Sequence, residues 1–166
     1  MRRLIVMRHA KSSWADAGQR DFDRPLNKRG RKASKLIGRW LKAGGHVPDL
    51  ALVSSARRAQ ETWSGVVAET GPADTQYLPE LYHAGPDTML DVVRRAADVG
   101  CLLLLGHQPG IGAFLRRLLA EAPTTKEFEK FPTGATALVD LDVESWRDAG
   151  WGGGRLAEMV VPRALE

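Results

Sequence analysis

Leu4-Ile5-Val6-Met7-Arg8-His9-Ala10-Lys11-Ser12 opens with four apolar residues, two of them β-branched, and passes without a turn residue into a cation and an imidazole. Such a run reads as a short buried strand. Arg8 and His9 make poor core, because both side chains need partners or water. Delivered at the carboxyl end of a strand, they read instead as part of a site.

The same plan recurs along the chain. Leu50 to Val53 is a second short strand, bounded by Pro48-Asp49 and Ser54-Ser55. Cys101-Leu102-Leu103-Leu104-Leu105 is a third, and its lack of alternation marks a central strand covered on both faces. It ends on Gly106-His107-Gln108-Pro109-Gly110, a tight turn. Helices are expected after each strand. The first runs from Asn27, a plausible cap, to Ala43, with Ala33, Leu36, Ile37, Trp40 and Leu41 on one face and Gly44-Gly45 as its stop. The second begins at Ser54 or Ser55, either of which can cap it, and ends at Gly71-Pro72. A third is capped by Asp87 and stopped at Gly100, and a fourth spans Ile111 to Ala120.

Elsewhere the signals are weaker. Ser13 to Pro25 is a polar loop on the site side, Tyr77-Leu78 an edge strand, and Pro123 to Pro132 an irregular connection. Ala135 to Leu141 and Arg155 to Val161 read as two final strands joined by a linker with Trp146, Trp151 and a glycine triplet, which lacks the spacing of a phosphate loop. Strands alternating with helices and a β finish predict the α/β class. The expected architecture is three-layer α/β/α, with a mostly parallel central sheet and C-terminal β strands.

Composition excludes several alternatives. The chain of 166 residues, 43% hydrophobic and 27% charged, fits a single domain over 1–166 that needs no disulfide or structural metal. No apolar run approaches the roughly 20 residues of a membrane helix, and only four apolar residues follow Arg2-Arg3, too few for a signal peptide. No membrane partner and a cytoplasmic location are expected. The net charge of +4 is dispersed among acids, without a stripe for a nucleic-acid backbone. The one cysteine, Cys101, is expected to be buried and inert; His46 is expected on the surface, and His83 at the pocket or on the surface. No pattern specifies an oligomeric state.

Ligands bind beyond the carboxyl ends of the parallel strands in such a sheet. Those ends carry Arg8-His9, the segment Ser54 to Arg58, and Gly106-His107. Arg57 and Arg58 both fall in the first turn of a helix, where the dipole disfavours cations unless an anion is bound. Converging imidazoles and guanidiniums point to a phosphoryl group, because guanidinium forks match its oxygens in bidentate fashion. A neutral imidazole can attack phosphorus while its neighbours hold the equatorial charge. Neither His9 nor His107 has the local His, Cys or carboxylate spacing of a metal site, so no metal and no cofactor are expected.

Arg8-His9-Ala10-Lys11-Ser12 resembles the Arg-His-Gly signature of the histidine phosphatase superfamily, which includes the cofactor-dependent phosphoglycerate mutases. Arg24-Pro25-Leu26 with Gly30, Leu52-Val53-Ser54 with Arg58-Ala59 and Thr62, Leu78-Pro79-Glu80-Leu81, and Gly106-His107-Gln108-Pro109 match further motifs in family order. The short chain is most similar to the SixA-type phosphohistidine phosphatase branch. The resemblance implies a phosphoglycerate mutase-like fold. It also implies that His9 is the phosphorylated nucleophile and that Arg8, Arg58 and His107 form the phosphate pocket. Arg58, rather than Arg57, is selected because it precedes Ala59 and lies four residues before Thr62. Glu80 falls where larger relatives have a general acid, and Lys11, Ser12 and Gln108 are candidates for touching the substrate. Ala10 departs from the signature glycine, so the backbone there must avoid a glycine-only conformation. A large lid insertion near residues 84 to 100 is also missing, so an open pocket is expected.

The reaction implied is a metal-independent phosphatase working through a phosphohistidine intermediate. A phosphorylated protein side chain is the expected substrate, with small phosphate esters or sugar phosphates as the alternative partners. An inactive phospho-binding module is a reading of a different class.

Overall fold

A computed structural model describes residues 1–166. Six strands form one sheet: β1 (Arg2–Arg8), β2 (Leu50–Ser54), β3 (Asp74–Leu78), β4 (Cys101–Gly106), β5 (Thr136–Leu141) and β6 (Gly154–Val160). Their spatial order is β3-β2-β4-β1-β5-β6. The first four are mutually parallel, whereas β5 runs antiparallel to β1 and β6 antiparallel to β5. The helices are α1 (Lys28–Ala43), α2 (Arg57–Thr70), α3 (Pro86–Arg94), α4 (Gly110–Leu118) and the short α5 (Lys126–Lys130). This is the expected α/β architecture.

Period-two alternation explains why the strand runs are apolar throughout. Leu4 and Val6 of β1, Leu50 and Leu52 of β2, and Leu102 and Leu104 of β4 enter one core with α3, α4 and α5. Ile5, Met7, Ala51, Val53, Leu103 and Leu105 enter the other, against Ile37 and Leu41 of α1 and Trp63 and Val66 of α2. Over residues 4–7, 50–53 and 102–105 both faces are dry, so these runs carry no polar side chain. Fully burying each leucine contributes roughly 1.5–3 kcal/mol, which makes the run a property of the sheet rather than of the site.

Several local expectations need correction. Neither Ser54 nor Ser55 caps α2: the cap position is Ala56, with no side-chain bond. Helix α3 starts after Gly85 with Pro86 in its first turn, so Asp87 lies inside the helix rather than at its cap; the helix ends at Arg94, short of Gly100. Within 123–132, Thr125 caps α5 by accepting a hydrogen bond from the Phe128 amide at 3.3 Å. Five helical residues are too few to show an apolar period. Cys101 is half-buried, not buried, and burial followed by the Asp49 charge pushes its thiol up to about 11. His46 is half-buried too, with Nδ1 2.8 Å from an Arg3 guanidinium nitrogen.

One glycine positions the site directly. A Cβ on Gly30 would lie 2.1 Å from the Lys11 carbonyl oxygen, so only glycine lets the first turn of α1 rest on the backbone just beyond His9. Asn27 caps that turn, accepting from the Gly30 amide at 2.8 Å, while its own amide donates to the Lys11 carbonyl at 3.0 Å.

Candidate active site

Register alone brings the two histidines together. Arg8 of β1 is paired with Gly106 of β4, so the next residue of each strand, His9 and His107, emerges side by side. The ladder continues one step, with the His9 amide donating to the Gly106 carbonyl at 3.1 Å. The ring centroids lie 5.0 Å apart, and the residues are only 7% and 6% exposed.

Hydrogen bonding differentiates the rings. His9 Nδ1 lies 2.7 Å from the Ala10 carbonyl, which only accepts, so Nδ1 carries the proton and Nε2 keeps a lone pair. His107 is held by its other nitrogen: Nε2 lies 2.7 Å from Ser54 Oγ, and Nδ1 is buried without a partner. Burial, and then the guanidiniums of Arg58, Arg8 and Arg24, lower the pKa of His9 to about 4, although the Ala10 carbonyl acts in the opposite direction. That of His107 falls to about 3, through burial, His9 and Arg58, with Asp21 opposing. Both rings are neutral at pH 7.

Three guanidiniums surround the pair. Arg58, 6% exposed, reaches in from the first turn of α2 and donates to the Asp21 carbonyl at 2.7 Å and to Asp21 Oδ2 at 3.0 Å. Arg24 donates to Asp21 Oδ1 at 3.0 Å and to Ser12 Oγ at 2.6 Å. Arg8 donates to the Phe131 carbonyl at 3.1 Å and has no carboxylate partner; burial and the nearby Arg58 lower its pKa. Tyr82 completes the arrangement by donating to Asp21 Oδ2 at 2.5 Å while its ring meets His107 edge-on at 5.6 Å. Burial raises the pKa of Asp21, but the bonds from Tyr82 and Arg24 and the Arg58 charge outweigh it and hold the carboxyl below its ordinary range.

Charge and hydrogen bonding then agree. Three guanidiniums face one carboxylate, so two positive charges are left without a counterion. Arg8 Nε, Arg58 Nε and His107 Nδ1 are all buried and unpartnered. Each unsatisfied buried group costs on the order of 1–3 kcal/mol, a cost that an oxyanion accepting from the guanidiniums would offset. The adjoining pocket, about 440 Å³, is lined by Arg58, His107, Gln108 and the exposed His83.

The other candidates are placed differently. Gln108 lines the pocket, but its amide is held at both ends, donating to the Lys130 carbonyl at 2.9 Å and accepting from the Gly112 amide at 2.7 Å. Ser12 is committed to Arg24, and exposed Lys11 lines a separate cleft. Glu80 is not among the lining residues; its carboxylate pairs with Arg95 at 3.3 Å. Ala10 has no positive φ, and its amide donates to Thr62 Oγ1 at 3.0 Å, so the departure from glycine carries no backbone strain. No group of three His, Cys, Asp or Glu side chains is placed to hold a metal ion.

Asp21 and Tyr82 escape the reading of the sequence, and Ser54 is placed there at the site edge without its bond to His107. Asp21 sits in a polar loop with several other acids, and Ser54 carried a capping signal that masked its service to His107.

Residues 4–84 match the histidine phosphatase superfamily (branch 1). Phosphohistidine phosphatase SixA of Escherichia coli (strain K12) is 31% identical over 147 residues, covering 84% of this chain and 85% of that protein. The chain belongs to the histidine phosphatase superfamily. Within the superfamily it falls in the SixA-type branch. A SixA-type structure from Nakamurella multipartitia superposes with a TM-score of 0.83 at 30% identity over 97% of this chain and 96% of that one. The protein histidine phosphatase SixA complexed with tungstate gives a TM-score of 0.77 at 28% identity, covering 99% of each chain. The chain is accordingly a hydrolase acting on phosphoryl groups with a phosphoglycerate mutase-like fold.

Proposed function

We propose that residues 1–166 act as one phosphohistidine phosphatase domain that dephosphorylates histidine on a protein through a phosphoenzyme on His9. The observation that carries this reading is the set of buried, unpartnered nitrogens of Arg8, Arg58 and His107 beside a histidine whose Nε2 lone pair is free. The tungstate-bound SixA structure, holding a tetrahedral oxyanion in a related fold, supports it.

In the first step His9 Nε2 attacks phosphorus in line. A new N–P bond forms, the substrate N–P bond breaks, and the leaving imidazole takes the bond pair and a proton from water. Arg8, Arg58 and His107 Nδ1 donate to the equatorial oxygens, where charge is spread in the transition state. For His107 to donate, Ser54 must donate to Nε2, which fixes the proton on Nδ1. His9 keeps its Nδ1 proton on the Ala10 carbonyl throughout, so the ring holds its orientation while Nε2 carries phosphate. Water then displaces His9 from phosphorus and releases inorganic phosphate.

The open pocket favours a macromolecular substrate. Residues 84 to 100 hold only α3 and a short connection, with no insertion to close over the site. Glu80 is paired with Arg95, and a P–N bond needs less leaving-group protonation than a phosphate ester, so no step is assigned to it.

A labelled phosphodonor should give an acid-labile, base-stable phosphoenzyme in the wild type and none in His9→Ala. Label retained after His9→Ala would overturn the assignment. Faster turnover of sugar phosphates or phosphate esters than of a phosphohistidine peptide would overturn the substrate class.

A further inference from the structure

A second cleft, about 430 Å³, opens beside the site and is not used by the chemistry above. Its cations are Lys11, Arg29, Lys126, Lys130 and Arg163, from the loop after β1, α1, α5 and the chain beyond β6. Two carboxylates, Glu127 and Glu166, share it, and only the latter is paired, with Arg29 at 3.9 Å. Lys126, Lys130 and Arg163 are exposed and have no acidic partner. Convergence of cations from four separate parts of the chain, with most of them unpaired, differs from an ordinary solvated helix face, where opposite charges alternate.

The cleft is a neighbour of the active site, joined to it through short stretches of chain. Lys11 follows His9 by two residues, at most about 7 Å of extended chain. The wall at Pro132 and Thr133 leads into Gly134, whose amide donates to the His9 carbonyl at 2.9 Å. Gln108, which lines the pocket beside His107, donates to the carbonyl of Lys130, which lines the cleft. A polypeptide presenting a phosphorylated side chain to His9 therefore has its flanking residues within a few residues' reach of these cations.

The lining chemistry selects the occupant. No aromatic side chain lines the cleft, so nucleic-acid bases have nothing on which to stack. Lysine ammonium groups act as point charges that pair with carboxylates in many orientations, and the Glu166 carboxylate already sits 3.9 Å from the Arg29 guanidinium at the same cleft.

We propose that the cleft receives an acidic segment of the phosphorylated protein substrate, its carboxylates against Lys126, Lys130 and Arg163, while the phosphoryl group occupies the His9 site. This rests on the phosphohistidine-protein reading and extends it to the residues flanking the phosphorylation site. Charge pairing of this kind acts on encounter and recognition, so it raises kcat/KM and weakens with salt.

The test compares three substrates: phosphoramidate, a phosphohistidine peptide flanked by glutamates, and the same peptide with glutamines in their place. At about 50 mM salt the glutamate peptide should be turned over about ten-fold more efficiently than its glutamine analogue, and the preference should shrink to about two-fold at about 500 mM. The triple variant Lys126→Ser/Lys130→Ser/Arg163→Ser should lose the preference and keep wild-type activity on phosphoramidate, which also reports that it folds. Reversing the charges, with Glu at the same three positions, should make the glutamine peptide the better substrate. Equal turnover of both peptides by wild type, or a preference that survives in the triple variant, overturns the proposal. So does inhibition of peptide turnover by an oligouridine but not by an oligoglutamate. Failure of the underlying reading looks different: none of the three P–N substrates would be hydrolysed while phosphate esters were.

Discussion

His9 and His107 sit at equivalent ends of adjacent parallel strands, yet their rings are wired in opposite senses. His9 spends Nδ1 on its own neighbour's carbonyl and leaves Nε2 free; His107 spends Nε2 on Ser54 and leaves Nδ1 unpartnered. The first arrangement needs no other element, whereas the second needs β2 beside β4. A histidine bonded to a carbonyl must present a lone pair, and one bonded to a hydroxyl can present either a lone pair or a proton. The pairing thus suits a nucleophile next to a donor, and His9, bonded to a carbonyl, cannot take the donor's part at Nε2 while it stays neutral.

The sharpest way to break this comparison is to remove each ring in turn. His9→Ala should lower kcat/KM on a phosphohistidine substrate by about 10⁴-fold or more and leave no phosphoenzyme, because the bond-forming atom is gone. His107→Ala should cost about 10²- to 10³-fold while still allowing slow labelling of His9, as for loss of one transition-state donor. Equal loss of labelling in both variants would mean that the two rings are not functionally distinct. Ser54→Ala sharpens the asymmetry further: a fall of about ten-fold in kcat with KM little changed is expected, since His107 loses the group that fixes its tautomer. Nitrogen shifts of His107 should move in that variant while those of His9 stay; unchanged His107 shifts would dismiss Ser54 as a positioning residue.

The same rings also bear on stability. In the unfolded chain both imidazoles protonate near 6.5, but in the fold only near 4 and 3. Below pH 6.5 the unfolded state therefore binds more protons, and acidification destabilises the fold until each folded value is passed. The slope should reach at most about 1.4 kcal/mol per pH unit for each ring. Melting temperatures measured from pH 7 to pH 4 should fall, and His9→Ala and His107→Ala should each flatten the curve. A profile unchanged in both variants would show that neither ring is held neutral by the fold.

The extent to which the sequence was legible follows the range of the interactions involved. Apolar runs marked β1, β2 and β4 because burial on both faces leaves a continuous signature, and the Asn27 cap was readable because capping acts within four residues. Gly30 stood out as part of a motif, but its reason, a carbonyl 2.1 Å from where a Cβ would sit, belongs to the packed structure. Asp21 was opaque for a similar cause: it serves Arg58, 37 positions away, and Tyr82, 61 positions away. Ser54 was misassigned since a serine before a helix is a strong local signal, and local signals say nothing about a histidine on the next strand.

The strand order carries a consequence for how activity arises during synthesis. β1 lies between β4 and β5, so in the sheet it pairs only with residues 101–106 and 136–141, both made long after it. Closing loops of that length is the slow part of assembling such a sheet. On the ribosome the proposed nucleophile waits for β5 to complete its surroundings, and a nascent chain that stops before β5 has every candidate catalytic side chain but not the strand that backs them. Phosphatase activity should therefore appear abruptly with chain length rather than by degrees.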